Sequence, residues 1–112
     1  MGTASDGEWS VYVLRCGDGT LYTGITLDVS RRIEEHRSSK VGAKYLRGRG
    51  PLTLLFDHTV GERAVASAVE HRMKRWRKSE KERLLREPAE LRRAIDALCD
   101  ACRETGAERE LV

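Results

Sequence analysis

The N-terminal third of the chain alternates apolar and polar positions in a way that predicts a β-hairpin followed by a helix. Residues 11–14 and 20–23 are rich in β-branched and aromatic side chains, and the run Gly17-Asp18-Gly19 between them is typical of a tight turn. Asp28 then offers a side-chain oxygen to cap a helix that we expect to begin at Val29. Tyr12 and Tyr22 should therefore lie on neighbouring antiparallel strands.

The first predicted helix carries ionisable side chains on its apolar stripe. At about 100° per residue, that stripe contains Val29, Arg32, Ile33 and His36. Arg32 and His36 are one turn apart, so they reach the same small region, and charged groups beside apolar ones lose hydration unless an anion meets them. Two interpretations stay open: Arg32 extends to solvent beside a neutral, hydrogen-bonding His36, or the two bind an anion.

The rest of the pattern predicts one more strand and three helices. Pro51 precedes a strand over residues 52–56, and a second helix should run from Arg63 to about Lys78. Ser79 is placed to cap a short helix that continues through Arg86. We therefore expect an α+β fold in which a small three-stranded antiparallel sheet is flanked by helices, in the order β-β-α-β-α-α, plus a C-terminal amphipathic helix.

Glu87-Pro88 is the most convincing internal boundary. Residues 1–8 are small and polar and are expected to be a disordered N-terminus, and residues 9–86 should form the main domain. Residues 87–112 would add a helix and tail, with apolar positions at Leu91, Ala94, Ile95, Leu98 and Cys102. This helix either docks on the domain or pairs with another copy or a partner subunit.

The charge is distributed unevenly. The chain of 112 residues has a net charge of +3, with 17 basic and 11 acidic side chains in residues 1–86 and 4 basic and 7 acidic ones in residues 87–112. The excess positive charge therefore lies in the main domain, which favours a polyanionic partner, although charge alone is equally typical of a solvated basic surface.

The stretch from residue 37 to 50 is the strongest candidate for contact with nucleic acid. Lys44, Arg47 and Arg49 have no acidic residue near them in sequence, and Tyr45 between them offers a ring that can stack on a base. On the second helix, Arg72 falls within the apolar stripe and Lys74 begins a basic run suited to backbone phosphates.

Two further observations bear on the compartment. No apolar run approaches the roughly 18 residues that span a bilayer, and the N-terminus lacks a signal-peptide pattern, so we expect a cytoplasmic protein with no membrane partner. Three cysteines, an odd number, agree with a reducing environment. Cys99 and Cys102 have the spacing of a zinc half-site, but a second pair is missing, so packing is the favoured interpretation.

Taken together, the residues of the hairpin and first helix resemble a known family. Ser10-Val11-Tyr12, Tyr22-Thr23-Gly24, the arginine at 32 and the histidine at 36 are similar in order and spacing to the signature of the GIY-YIG nucleases. The resemblance covers roughly residues 9–86 and continues in Gly42-Ala43-Lys44-Tyr45, in Arg47-Gly48-Arg49-Gly50-Pro51, and in Ala66, Glu70, Met73, Lys74 and Trp76. It is greatest to the small stand-alone bacterial members and to the catalytic subunits of structure-specific endonucleases.

The resemblance implies roles for particular residues. Tyr12 would be the general base toward water, Tyr22 would position it or bind the scissile phosphate, Arg32 would hold that phosphate, and His36 would donate to a phosphoryl oxygen or relay a proton. Gly24 would keep the floor of the site open. Glu70, which nothing in the periodicity marks as a ligand, would hold one Mg²⁺ (or Mn²⁺) per site.

The expected activity is metal-dependent hydrolysis of DNA phosphodiester bonds, with low intrinsic sequence specificity and a structure-specific or repair-related role. The substrate would be duplex, branched or single-stranded DNA. Ser10, Thr23 and Ile25 depart from the family pattern, and a late asparagine of some repair nucleases has no clear counterpart. These departures leave two alternatives: a catalytically silent nucleic-acid-binding module, and an adaptor that binds proteins through its C-terminal helix.

Overall fold

The computed structural model describes residues 7–38, residue 46 and residues 49–104. Its strands are β1 (Trp9–Cys16), β2 (Leu21–Thr26) and β3 (Leu52–Gly61), and its helices are α1 (Val29–Ser38), α2 (Arg63–Lys74), α3 (Lys78–Leu85) and α4 (Pro88–Glu104). The predicted order of elements and the α+β class are confirmed. No helix in these residues is long and apolar enough to cross a membrane.

The three strands form an antiparallel sheet in the order β2-β1-β3. In the β1–β2 pair, Tyr12 lies opposite Gly24 and Leu14 lies opposite Tyr22, so the two tyrosines are diagonal neighbours on one face. The β1–β3 pairing shifts register between Val13 and Leu14. The predicted placement of the two tyrosines on neighbouring strands is confirmed, and the register brings them to the same face of the sheet.

The two faces of the sheet are covered by different helices, because alternate residues of β1 point to opposite sides. One face packs against α1, in a cluster that contains Tyr12, Leu14, Cys16, Ile33, Leu46 and Leu52. The opposite face packs against α2, α3 and α4, in a larger cluster that includes Val11, Val13, Phe56, Val69, Met73, Leu84 and Ile95. The first helix and the tyrosines therefore lie on one side, and the other helices on the opposite side.

The apolar stripe of α4 belongs to the larger cluster. Leu91, Ile95, Cys99 and Cys102 are each at most 4% exposed and pack in the same core as α2. Of the two arrangements that the sequence left open, docking on the same chain is the one observed. This apolar stripe is therefore already covered and is not a free surface for a second copy.

Local details differ from the sequence-based expectations at three places. The third strand continues five residues past Phe56, and the second helix ends at Lys74, where Arg75 caps it and a short turn leads into α3. Asp28 accepts a hydrogen bond from the backbone N–H of Arg31 at 3.1 Å, as expected of a cap. The cap predicted at Ser79 is wrong, because α3 begins one residue earlier and Arg77 occupies the cap position without a side-chain hydrogen bond.

Candidate active site

The Tyr12 ring packs over Gly24 of the neighbouring strand β2, where there is no side chain. The ring is 1% exposed, and a Cβ atom added to Gly24 would lie 2.5 Å from the Tyr12 hydroxyl oxygen and 2.6 Å from Cζ. These separations are far below ordinary van der Waals contact, so only glycine fits beneath the ring. The open floor expected at Gly24 is thus filled by Tyr12 itself.

Three rings meet at the centre of the site. The Tyr12 hydroxyl and Nε2 of His36 are joined by a buried hydrogen bond of 2.8 Å. The ring centroid of Tyr22 lies 6.2 Å from that of Tyr12 and 5.6 Å from that of His36, the second contact being edge to face. His36 is 3% exposed. The stripe of α1 that carries a histidine among apolar residues therefore delivers that histidine to the tyrosine pair.

Arg32 approaches the same hydroxyl from one turn earlier on α1. Its guanidinium interacts with Tyr12 through a side-chain hydrogen bond and through its charge. Nη1 also donates to Oε1 of Glu35 at 2.9 Å, and Glu35 is further paired with Arg31 at 3.3 Å. Glu35 therefore holds the Arg32 guanidinium in place, a contact that the sequence did not predict. Its spacing of three residues from Arg32 was the available signal.

The electrostatics of the centre keep both members of the Tyr12–His36 pair uncharged at neutral pH. Burial, assisted by the nearby Tyr22, raises the pKa of Tyr12 well above its ordinary value, and Arg32 only partly opposes this effect. Burial and then the positive charge of Arg32 lower the pKa of His36. The proton of the pair therefore rests on the tyrosine, and His36 is a neutral base.

Glu70 lies on α2, which packs against the opposite face of the sheet, and is joined to the centre through Lys74. The Lys74 ammonium is 3.1 Å from Oε2 of Glu70 and 6.0 Å from the centroid of the Tyr22 ring. Glu70 retains 20% of its side-chain exposure. Among the residues that the structure describes, no three histidine, cysteine or acidic side chains form a metal-binding group. A single accessible carboxylate with water and phosphate ligands still matches the preference of Mg²⁺.

The residues predicted to contact nucleic acid have different surroundings. Arg49 donates to Asp18 in the β1–β2 turn at 2.8 Å, which secures it against the hairpin. Arg72 is half-buried on α2, and Lys74 is the lysine described above. The predictions for Lys44, Tyr45 and Arg47 concern residues outside the described ranges.

Comparison with known proteins shows which family this fold and its sequence belong to. A family model described as the GIY-YIG catalytic domain matches residues 8–83, which is more than half of the chain. The chain belongs to the GIY-YIG family. Membership of this nuclease superfamily confirms the resemblance inferred from the hairpin and first helix, and it places Tyr12, Tyr22, Arg32, His36 and Glu70 inside the matched region.

Individual GIY-YIG relatives are bacterial. A UPF0213 protein of Citrobacter koseri is 54% identical over 79 residues, covering 70% of this chain and 78% of the relative. The UPF0213 protein YhbQ of Escherichia coli K12 is 48% identical over 90 residues, covering 80% of this chain and 89% of the relative. The solution structure of the UPF0213 protein BH0048 of Bacillus halodurans is 44% identical and covers 70% of this chain and 82% of that one, with a TM-score of 0.46.

Two of the departures from the GIY-YIG pattern lie beside the centre rather than in it. Ser10 shares a hydrogen bond of 3.2 Å with Thr59 across the β1–β3 pair. Ile25 lines a cavity of about 350 Å³ on the far side of Arg32, together with Trp9, Thr26, Leu27, Asp28, Arg31 and Glu35. The polar groups that interact with the Tyr12 hydroxyl come from other residues, His36, Arg32 and Tyr22.

Proposed function

We propose that this protein is a metal-dependent endonuclease that hydrolyses phosphodiester bonds in DNA with low intrinsic sequence specificity. The observation that supports this proposal best is the buried contact between the Tyr12 hydroxyl and the neutral His36, with the Arg32 guanidinium at the same hydroxyl. Hydrolysis needs a proton acceptor for the attacking water and positive charge for the phosphoryl oxygens, and this cluster offers both.

The Tyr12–His36 pair provides a route for the proton of the attacking water. With Nδ1 of His36 protonated, the Tyr12 hydroxyl donates to the lone pair of Nε2. As the water attacks phosphorus, its proton passes to the Tyr12 oxygen while the tyrosine's own proton passes to Nε2. Tyr12 then remains neutral throughout, which avoids a buried tyrosinate that desolvation disfavours. The product of the step is an imidazolium at His36.

Arg32 is suited to hold the scissile phosphate. The hydrogen bond that Arg32 donates to Glu35 keeps the guanidinium oriented, and it raises the pKa of Arg32 further. A guanidinium donates two parallel hydrogen bonds to a phosphate, which a lysine cannot reproduce. Tyr22 contacts the rings of both Tyr12 and His36 and so restricts the position of the Tyr12–His36 pair, which accepts the proton.

A divalent cation, Mg²⁺ or Mn²⁺, would be held by Glu70 and would supply positive charge to the departing oxygen. A single carboxylate is a weak anchor, so we expect the cation to bind well only together with the substrate phosphate. Glu70 must then exchange its ion pair with Lys74 for the cation, which leaves the ammonium available to DNA.

A structure-specific or repair-related role in the cytoplasm agrees with the small size of the domain and with an odd number of cysteines, three, in the sequence. Duplex, branched and single-stranded DNA are all compatible with a site that holds the backbone rather than the bases. A partner subunit that adds specificity would use a surface other than the covered stripe of α4.

The decisive experiment is cleavage of labelled duplex, branched and single-stranded DNA by the protein and its Arg32→Ala variant. We expect the parent to cut with Mg²⁺ or Mn²⁺ and to stop with a chelator. Arg32→Ala should lose at least a hundredfold in rate with the fold retained, because phosphate charge stabilisation of this kind is worth roughly 10²–10³-fold. Arg31→Ala is the matched control: it alters the same helix at a side chain that is 77% exposed. Cleavage by Arg32→Ala at the parental rate would refute the assignment.

The metal ligand is tested separately with Glu70→Gln. This variant should still bind DNA but should fail to cut it when Mg²⁺ is added, because the neutral amide removes the anionic ligand. Glu34→Gln, an exposed acid on α1, is the control for loss of one negative charge. Cleavage by Glu70→Gln with an unchanged Mg²⁺ requirement would remove Glu70 from this role.

The departures at Ser10 and Ile25 from the family pattern favour one alternative function, a nucleic-acid-binding module without catalysis. In that case the same panel would show shifted but intact DNA under every metal condition. The two functions are therefore separated by one assay.

A further inference from the structure

A second cavity lies on the other side of Tyr22 from the Tyr12–His36 pair. It has a volume of about 340 Å³ and is lined by Leu21, Tyr22, Thr23, Lys74 and Lys81. It lies along β2, one of the two edge strands of the described sheet, and its other wall is formed by Lys74 of α2 and Lys81 of α3. Tyr22 is thus a wall shared by the candidate active site and this cavity.

The cavity wall concentrates positive charge. Lys74 and Lys81 both line it, and their mutual repulsion adds to partial burial in lowering the pKa of Lys81. Lys74 is paired with Glu70, whereas no carboxylate among the described residues pairs with Lys81. A half-buried ammonium beside a second lysine is unfavourable in the free protein, and an anion in the cavity would relieve it.

Thr23 also lines the cavity and has an unsatisfied hydroxyl group. Thr23 is 3% exposed, and its hydroxyl oxygen is the one buried side-chain polar atom in the described residues without a hydrogen-bond partner. Buried polar groups are normally paired, and an unpaired one costs stability. Because this oxygen is itself covered, the groups that an anion in the cavity would meet are the two lysine ammonium groups.

The position of Lys81 is fixed by its neighbours on α3. Arg15 on β1 forms two hydrogen bonds of 2.6 and 2.7 Å with Glu82, and Lys78 donates to the carbonyl of Gly19 at 3.3 Å. These contacts tie α3 to the hairpin on both sides of Lys81. The positive wall is therefore already formed before any ligand binds.

The cavity on the far side of Arg32 lacks this excess of positive charge. Two carboxylates, those of Asp28 and Glu35, and two guanidinium groups line it, so its charges balance. A polyanion that passes over Arg32 is therefore favoured on the lysine side.

We propose that the cavity formed by Tyr22, Thr23, Lys74 and Lys81 binds a second phosphate of the DNA backbone, one that is not cleaved and that flanks the scissile phosphate at Arg32. This inference rests on the proposed function and deepens it, because it gives the direction in which the strand leaves the active site. Lys81 is the residue that distinguishes it from the site already described.

The proposal is tested by DNA binding in the presence of a chelator, which makes the result independent of cleavage. Fluorescence anisotropy of labelled single-stranded and duplex DNA is measured over a range of KCl concentrations for the parent, Lys81→Gln, Lys81→Arg and Arg93→Gln. Arg93, on the exposed side of α4, is the control for loss of one positive charge.

We expect Lys81→Gln to bind on the order of tenfold more weakly and to reduce the slope of log Kd against log salt by about 0.7–0.9, the effect of one lost phosphate contact. Lys81→Arg should restore most of the affinity, and Arg93→Gln should keep the parental slope. Lys81→Gln should also melt at the parental temperature or above it, because it removes a repelled, half-buried charge. A purely structural lysine would lower the melting temperature instead.

A second measurement identifies the phosphate. Neutral methylphosphonates are placed one at a time along the labelled strand, and the affinity of each strand is measured. One substitution should weaken the parent but leave Lys81→Gln unaffected, since the contact is already absent there. A Lys81→Gln protein with the parental affinity and slope, or with the parental response to every methylphosphonate, would overturn the second phosphate site alone. If the parent does not bind DNA, both the second phosphate site and the proposed function are overturned. If the parent binds DNA and depends on Lys81 as expected but does not cut DNA, only the proposed nuclease activity is overturned.

Discussion

Gly24→Ala is the substitution for which the structure predicts the largest effect from the smallest chemical change. In a strand without steric conflict, alanine in place of glycine stabilises a protein by about 0.5–1 kcal/mol. Here the new methyl group would lie 2.5 Å from the Tyr12 hydroxyl oxygen and 2.6 Å from Cζ. The sign of the stability change therefore reports whether the Tyr12 ring really rests on this glycine.

The magnitude follows from the overlap. Carbon atoms in contact are separated by about 3.5–4.0 Å, so the ring must move by roughly 1 Å. Tyr12 is 1% exposed and has no solvent to move into, and overpacking of this kind costs about 1–3 kcal/mol. A shift of that size also lengthens the 2.8 Å hydrogen bond to His36 beyond useful range. We expect a melting temperature lower by on the order of 5–20 °C and cleavage slower by about a hundredfold.

The assay measures the melting temperature of each variant and its rate of DNA cleavage with the divalent metal ion that the parent requires. Gly19→Ala is the control, since Gly19 has a φ of 90° but open space at its Cβ position. It should lose about 1–2 kcal/mol through backbone strain and yet keep its nuclease rate. In a Tyr12→Leu background, the cost of Gly24→Ala should shrink, because the obstructing ring is gone. A Gly24→Ala protein as stable as the parent or more stable would refute the packing described here.

Three further predictions follow from the same geometry. Glu35→Gln should slow cleavage about tenfold with little loss of stability, because Arg32 keeps its charge but loses the partner that orients it, and kcat and KM measured separately would show this. His36 has a pKa below its ordinary value of about 6.5, so protonation favours the unfolded chain; the stability that neutral His36 contributes should be complete above pH 6.5 and should be lost as pH falls from there through the folded-state pKa, which NMR titration of the ring measures. Cleavage by the folded protein should persist below pH 6.5, and an acid limit above pH 6.5 would exclude His36 as the proton acceptor. Truncation after Glu87 should abolish cooperative unfolding in circular dichroism, because it removes buried side chains of α4 that are each worth about 2–5 kcal/mol against a total stability of about 5–15 kcal/mol.

Much of the fold could be predicted because its signals are local. The hairpin is indicated by β-branched runs around a glycine turn, and α1 by the Asp28 cap and the stripe of Val29, Arg32, Ile33 and His36. The ends of β3 and α2 could not be placed, because strand length depends on the partner: β3 extends to Gly61 where β1 continues to pair with it. The break after Lys74 likewise depends on α3 docking against the hairpin through Glu82.

The candidate site divides in the same way. Strand pairing predicted the two tyrosines as neighbours, and helix periodicity placed Arg32 and His36 together. That the two pairs share one site was implied only by the family resemblance. Glu35 lies outside the stripe of Arg32 and His36, yet it accepts a hydrogen bond from Arg32, whose guanidinium contacts both this carboxylate and the Tyr12 hydroxyl. Lys81 gives no signal in the sequence beyond one charge in a charged helix, and only the cavity beside Tyr22 gives it a candidate partner.

The sequence by itself determined which residues share a face, since the periods of strand and helix are properties of the backbone. It therefore fixed the class of fold, the tyrosine pair and the basic character of the surface. Tertiary packing decided which charged groups are paired, buried or left without a counter-ion, and whether α4 covers its own chain or another. Those outcomes depend on desolvation and on contacts between elements distant in sequence, which no local pattern records.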